Sequence, residues 1–304
     1  MKISTTTGYL SELFGEEQAI RFLANVGFDA MDYSAFFHYH YGQTRRQEQT
    51  GFLFQPFEKL EAYYQHLKDV ADEAGIVFGQ MHAPYPSVFT DADTIPQASF
   101  EIAEKSIRIA GILKAPYLII HPCFVGNAAK ELSDKELKSL NVKYYSALAP
   151  LAKEQNVVIC LENMWGTDNG KICPTVCSRA SQFCDFIDTL NELVGEERFA
   201  ACLDVGHALL TQQDAASMIH SLGHRLKTLH LHDNDGVDDI HNIPMIGKLN
   251  WESICKALKE VDYQGTFSLE ADTYPRYFGK DLIKESCSMM LTVCRHLIKK
   301  YELE

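Results

Sequence analysis

A chain of 304 residues, 46% of them hydrophobic, can bury a large core, which excludes a disordered tail or a minimal binding module. Its formal charge of −13 disfavours nonspecific attraction to nucleic acid, because a backbone binder sets several lysines or arginines against phosphates. No run of about 18 apolar residues occurs, and the opening MKISTTTGYL has neither the basic flank nor the long apolar core of a secretory signal, so the expectation is a cytoplasmic protein with no membrane partner.

Along the chain, short apolar segments alternate with longer amphipathic ones. Strands are predicted at 2–7 (KISTTT), 28–33 (FDAMDY), 76–82 (IVFGQMH), 117–121 (YLIIH), 157–163 (VVICLEN), 199–204 (FAACLD), 226–232 (LKTLHLH) and 266–271 (TFSLEA). Helical patterns fall near 16–26, 56–74, 97–113, 131–154, 180–193, 211–223, 250–261 and 279–299. Eight strand-plus-helix units predict an α/β fold, the closed (β/α)8 TIM barrel, with residues 1–304 as one domain. A doubly wound dinucleotide fold needs a glycine-rich turn after its first strand, which TTTGYLSELFG does not supply. The extra length follows strands two, four and five, in SAFFHYHYGQTRRQEQTGFLFQ, PCFVGNAAKELSD and MWGTDNGKICPTVC. Loops after strands share the barrel face on which active sites are built.

Nine cysteines, an odd number, are read as reduced thiols, with Cys160, Cys202 and Cys255 behaving as small hydrophobes in apolar patterns. Cys173 and Cys177 are four apart, but no second pair completes a tetrahedral site at familiar spacing.

The chemistry gathers at the predicted strand ends. Strand three closes on His82 (MHAPY), four on His121 (IIHPC), five on Glu162 (CLENM), six on Asp204 with His207 behind it (CLDVGH), seven on His230 and His232 (LHLHD), and eight on Glu270 (FSLEAD). The loop after strand seven adds Asp239 and His241 as D-I-H. A lone histidine at a strand end more often bonds a loop than a metal. A carboxylate following VVICL or TFSL, however, faces desolvation unless a cation or hydrogen bonds compensate it. As a set these residues predict a divalent-metal site. Carboxylate oxygens with imidazole nitrogens and no convincing thiolate suit Mn²⁺, Co²⁺ or Zn²⁺, whereas Mg²⁺ prefers oxygens and its own waters.

The segments HAPY near 82, LEN at 161–163, LDVGHA at 203–208, LHLHDND at 229–235, DIH at 239–241 and LE at 269–270 resemble the xylose isomerase-like barrel superfamily. That superfamily holds sugar isomerases and epimerases together with abasic-site endonucleases. Resemblance to the epimerases implies one ion held by Glu162, Asp204, His230 and Glu270, the two glutamates moving the proton and His207 contacting a substrate oxygen. Resemblance to the endonuclease branch implies a three-ion cluster, for which His82, His121, Glu162, Asp204, His207, His230, Asp239, His241 and Glu270 all match. IPMIGKLNW replaces the glycine-rich L-G-E-G turn of that branch, and the only clustered bases in a long mouth loop are Arg45 and Arg46. The expectation is therefore sugar isomerase or epimerase chemistry. Phosphodiester hydrolysis, dehydration with the same constellation and a non-catalytic barrel are the alternatives.

Residues beyond this core have weaker signals. His232 is two residues from His230, so strand periodicity turns both inward, toward substrate or toward a metal ligand. Ketose epimerases place an arginine after the seventh strand, where this chain has none between 232 and 248. Arg276 (ADTYPRYFG) is a candidate replacement, with a surface ion pair as the plain alternative. Trp165, Phe36, Phe37, Tyr39 and Tyr41 are candidate walls for a sugar ring, or else subunit contacts. Scarce Lys and Arg at the mouth favour a neutral small-molecule sugar or polyol derivative, and fold analogy raises a homo-oligomer.

Overall fold

The computed structural model describes residues 1–39, 49–84, 88–89, 95–125 and 132–303. Tyr41, Arg45 and Arg46 lie outside the described residues, as do Tyr85 of the HAPY segment and the side chains of Phe36 and Phe37.

Eight parallel strands run β1 Ile3–Thr6, β2 Ala30–Ser34, β3 Val77–His82, β4 Tyr117–Ile119, β5 Val158–Glu162, β6 Phe199–Asp204, β7 Leu226–His230 and β8 Phe267–Leu269. Each pairs in parallel with the next from β1 to β7, and β1 pairs with β8. The ring closes between β7 and β8 at a parallel bridge, Leu231 to Leu269, where Leu231 N donates to Ser268 O at 2.8 Å and Glu270 N to Leu231 O at 3.1 Å. The architecture is the expected TIM barrel.

Around it pack α1 Glu16–Val26, α2 Phe57–Ala74, α3 Gln97–Leu113, α4 Asp134–Glu154, α5 Ala180–Val194, α6 Ala215–Leu222, α7 Trp251–Glu260 and α8 Ile283–Tyr301. Three starts fall later than the periodicity suggests, because local chemistry sets them. Ser133 opens α4 with a capping box to Glu136, and Asp214 opens α6 by accepting from Ser217 N. Before α8, residues Lys280–Leu282 form a tighter 3-10 turn. The long loop after β5 folds into a hairpin, Trp165–Asp168 against Lys171–Pro174. The loops after β3 and β4 join through Val88–Phe89 and Phe124–Val125.

Strand alternation sorts the side chains. Ile3, Met31, Tyr33, Met81, Leu229 and Phe267 join the large core beneath the helices. Inside the ring, Ile119, Cys160, Ala200 and Cys202 form a separate apolar cluster on the β4, β5 and β6 side. The alternating residues of the other strands are polar: Ser4, Asp32, Gln80, Thr228 and Ser268 are all buried. The barrel interior is thus apolar on one side and polar on the other, under the same mouth. Cys160, Cys202 and Cys255 are buried as expected, and Cys173 and Cys177 join no group able to hold a metal among the described residues. Among those residues no helix is long and apolar enough to cross a membrane.

Candidate metal centre at the barrel mouth

Because the strands are parallel, their carboxyl ends open on one face, and the strand-end residues converge there into three groups. Within each group, ligand-type atoms lie within 4.8 Å of one another. The first comprises His82, His121 and Glu162; the second Glu162, Asp204, His230 and Glu270; the third His207, His232, Asp239 and His241. Glu162 belongs to two of them.

In the first group His82 Nε2 lies 2.9 Å from His121 Nε2, and Glu162 Oε2 lies 2.9 Å from His121 Nε2 and 3.4 Å from His82 Nε2. His82 Nδ1–H donates to Ala83 O at 2.7 Å, so its Nε2 faces the group. Two imidazole nitrogens this close cannot both present lone pairs unless a proton or a cation lies between them. Burial pulls both rings toward neutrality. At His82 the Glu162 carboxylate outweighs it and raises the pKa, whereas His121 is pushed down to about 4.

In the second group His230 Nδ1 lies 2.9 Å from Glu162 Oε1 and 3.2 Å from Glu270 Oε2. Asp204 is held as the N-cap of the short helix Val205–Leu210, accepting from His207 N at 2.7 Å. Asn163 grips the Asp204 backbone at both ends, Nδ2 donating to Asp204 O and Asp204 N donating to Asn163 Oδ1, each at 2.8 Å. Burial works against ionisation of Glu162, but the imidazoles of His230 and His121 outweigh it and hold the carboxyl well below its usual range. Burial raises Glu270 instead, with His230 and His241 opposing the shift and Glu162 and Asp204 adding to it. The two glutamates are therefore shifted in opposite directions although they share one neighbour.

Backbone carbonyls set the histidine tautomers of the third group. His207 Nδ1 donates to Asn163 O at 2.9 Å and His241 Nδ1 to Glu270 O at 2.8 Å. Both rings thereby turn Nε2 toward Asp239 Oδ2, at 3.4 and 3.1 Å. Burial lowers the His207 pKa, but Asp204 and Asp239 overcome it and raise the ring to about 10. His232 stacks on His241 at 4.1 Å, and its Nε2 lies 3.0 Å from both Asp204 oxygens. Space for that ring depends on Gly206, where an added Cβ would fall 2.0 Å from His232 Cε1.

The donor set fits a divalent cation. It consists of imidazole nitrogens and carboxylate oxygens without thiolates, and Asp239 Oδ1 and His232 Nδ1 are buried with no hydrogen-bond partner among the described residues. Beside it opens a cavity of about 560 Å³ with Asp239, His241 and Glu270 in its lining and Phe124, Met164 and Trp165 among its walls. Trp165 Nε1 also donates to Asp239 at 3.2 Å. Arg276 lines the cavity but is committed: it pairs with Glu12 at 3.1 Å and Asp272 at 3.3 Å and covers the Tyr9 ring at 4.2 Å. Tyr39 is not a wall; it is fully buried and packs on Phe54 at 5.5 Å.

Four residues escaped the sequence reading. Asp32 and Gln80 sit inside the barrel beneath His230, and Asn163 orients both Asp204 and His207. Asp233 organises the loop after β7, accepting from the backbone N–H groups of Asn234, Met245 and Leu249 and from Trp251 Nε1. Asp32 and Asp233 lack the signal that identified Glu162, since Asp32 follows Asp29-Ala-Met in mid-strand and Asp233 follows Leu-His-Leu-His.

The chain is similar to a probable endonuclease 4 of Mesomycoplasma hyopneumoniae, 30% identical over 151 residues, covering 49% of this chain and 47% of that protein. It is also similar to a fructoselysine 3-epimerase of Shigella flexneri, 22% identical over 215 residues, covering 66% of this chain and 70% of the relative. The chain spans about half the length of an uncharacterised Sinorhizobium fredii protein that it also matches, 53% at 24% identity. Among solved structures, a D-tagatose 3-epimerase-like protein superposes with a TM-score of 0.74 at 17% identity, over 99% of this chain and 98% of that one. The pattern of the family described as Xylose isomerase-like TIM barrel matches residues 20–293, and the chain belongs to that family.

Proposed function

We propose that the protein is a divalent-metal-dependent isomerase or epimerase acting on a neutral sugar or polyol derivative. The observation that carries this reading is the approach of two glutamates, Glu162 and Glu270, to one imidazole nitrogen, 2.9 and 3.2 Å from His230 Nδ1, beside a cavity of sugar size. A proton on carbon beside a carbonyl is weakly acidic, so a carboxylate removes it only where the developing oxyanion is stabilised. Glu162, Asp204, His230 and Glu270 would hold a divalent ion, which would supply that stabilisation as a Lewis acid. Glu162 and Glu270 take and return the proton. His207, its Nδ1 committed to Asn163, presents Nε2 to a substrate oxygen. Trp165 offers an apolar face to the sugar ring. Among the described lining residues Glu12, Asp239, Glu270 and Asp272 outnumber the paired Arg276, which supports a substrate without phosphate. The epimerases among the relatives and structural neighbours support the same class.

A second reading, hydrolysis of a phosphodiester at an abasic site, is favoured by one specific observation. The first and third groups are assembled as fully as the second, and the three groups together hold all nine residues that the endonuclease resemblance implies. Elemental analysis of protein purified without chelator separates the readings, followed by incubation with ketoses in D2O and, separately, with an abasic duplex. About one ion per chain, with deuterium entering the sugar carbon and lost in Glu162→Gln, is the expected result. Three ions per chain with duplex cleavage and no exchange would overturn it.

A further inference from the structure

We propose that Asp32 is a positioning residue for the metal centre, fixing which nitrogen of His230 is offered to the ion; this rests on the reading of His230 as a ligand. Asp32 lies on β2, and both it and His230 are fully buried. Its Oδ2 is 3.2 Å from His230 Nε2 and accepts from Gln80 Nε2 at 2.8 Å. Gln80, also fully buried, donates in addition to Leu229 O at 3.3 Å, which ties the carboxylate to the strand that carries the histidine.

An imidazole has two nitrogens, and a neutral ring can offer only one lone pair. In the structure Nδ1 is hydrogen-bonded to Glu162 Oε1 at 2.9 Å, and Nε2 lies 3.2 Å from Asp32 Oδ2 without an aligned hydrogen bond; an ion that took the Nδ1 lone pair would leave the ring's one proton on Nε2, facing Asp32. A carboxylate at this place also makes Nδ1 a stronger donor, as the outer partners of metal-bound histidines do. Stability alone gives no reason for the residue. Among the described residues no lysine or arginine pairs with Asp32, and its Oδ1 is buried without a hydrogen-bond partner, a costly arrangement for an anion inside a barrel. The cost is intelligible where a cation on the far side of His230 completes the charge.

The test uses full-length protein stripped with chelator and titrated with Co²⁺, with the His230 ring followed by nitrogen NMR. Asp32→Asn should weaken Co²⁺ binding by about 10- to 100-fold, the range for such outer partners. It should also move the His230 ring of the Zn²⁺-loaded protein away from a single Nε2–H tautomer. Gln80→Met, which removes the anchor but keeps the charge, should produce a smaller loss in the same direction, so that a failure of Asp32→Asn to fold leaves a second measurement. Unchanged affinity and tautomer in the variants would overturn the proposal. If Glu162→Gln still abolished Co²⁺ binding in that case, the functional reading would survive without it. If wild-type protein bound no Co²⁺, both that reading and the positioning role would fall.

Discussion

Replacing Gly206 by alanine probes how tightly the third histidine group is confined. The new methyl would lie 2.0 Å from His232 Cε1, 2.5 Å from Nε2 and 2.6 Å from Nδ1, whereas carbon atoms rest about 3.5–4.0 Å apart. The ring has to retreat by more than about 1 Å, and it already stacks on His241 at 4.1 Å with its Nε2 3.0 Å from both oxygens of Asp204. Two opposing effects decide the sign. Gly206 is inside the helix Val205–Leu210 and has no left-handed backbone, so alanine gains up to about 1 kcal/mol in helix propensity. Overpacking costs about 1–3 kcal/mol, and losing a hydrogen bond to a charged group costs about 1.5–3 kcal/mol. The sum favours destabilisation by about 3 kcal/mol, together with weaker metal retention. Thermal unfolding with and without chelator, alongside elemental analysis, measures both. His232→Ala removes the obstacle, so Gly206→Ala should add little cost on that background, a strongly non-additive cycle. A single Gly206→Ala variant with wild-type melting and metal content would refute the confinement.

Asp233→Ala strips the acceptor from four donors, the N–H groups of Asn234, Met245 and Leu249 and the Trp251 indole, and should cost about 3 kcal/mol or more at about 1–3 kcal/mol per orphaned donor. The loop between β7 and α7 should then be cut readily by protease; resistance equal to wild type would contradict this. Asp214 caps α6 by accepting from Ser217 N at 2.9 Å, so Asp214→Ala should lower stability by about 1 kcal/mol near neutral pH. Its bonds from Ser217 hold the Asp214 carboxyl below its ordinary value, with slight burial opposing them. A depressed folded-state pKa means the contribution is complete above the unfolded value of about 3.9 and fades as pH falls through the folded one. The gap between wild type and variant should therefore narrow in acid; a gap that widens would count against the cap.

Much of the fold was legible because a parallel barrel writes itself along the chain. Every predicted strand overlaps an observed one, from KISTTT around Ile3–Thr6 to TFSLEA around Phe267–Leu269, and only the second, predicted at 28–33 and observed at Ala30–Ser34, runs past its predicted end. The strand-end residues were legible for the same reason, since parallel strands deliver their last side chains to one rim. Helix starts were less so: α4, α6 and α8 begin where Ser133, Asp214 and a 3-10 turn place them, which periodicity does not report. Tyr39 illustrates a different limit, because an aromatic in a polar stretch reads as a wall whether it faces the cavity or, as here, the core.

By itself the sequence determined the ladder of eight units and the inventory at their ends, because both follow from local hydrophobic period and residue type. Only the tertiary structure decided the grouping: Glu162 shared by two groups, Arg276 spent on Glu12 and Asp272, and each histidine turned by a particular partner. Ring closure sets which strand ends become neighbours. The tautomers of His207, His241 and His82 depend on the carbonyls of Asn163, Glu270 and Ala83, and His230 Nε2 lies 3.2 Å from a carboxylate that reaches it from β2. Those contacts cross between elements, and no pattern within one segment encodes them.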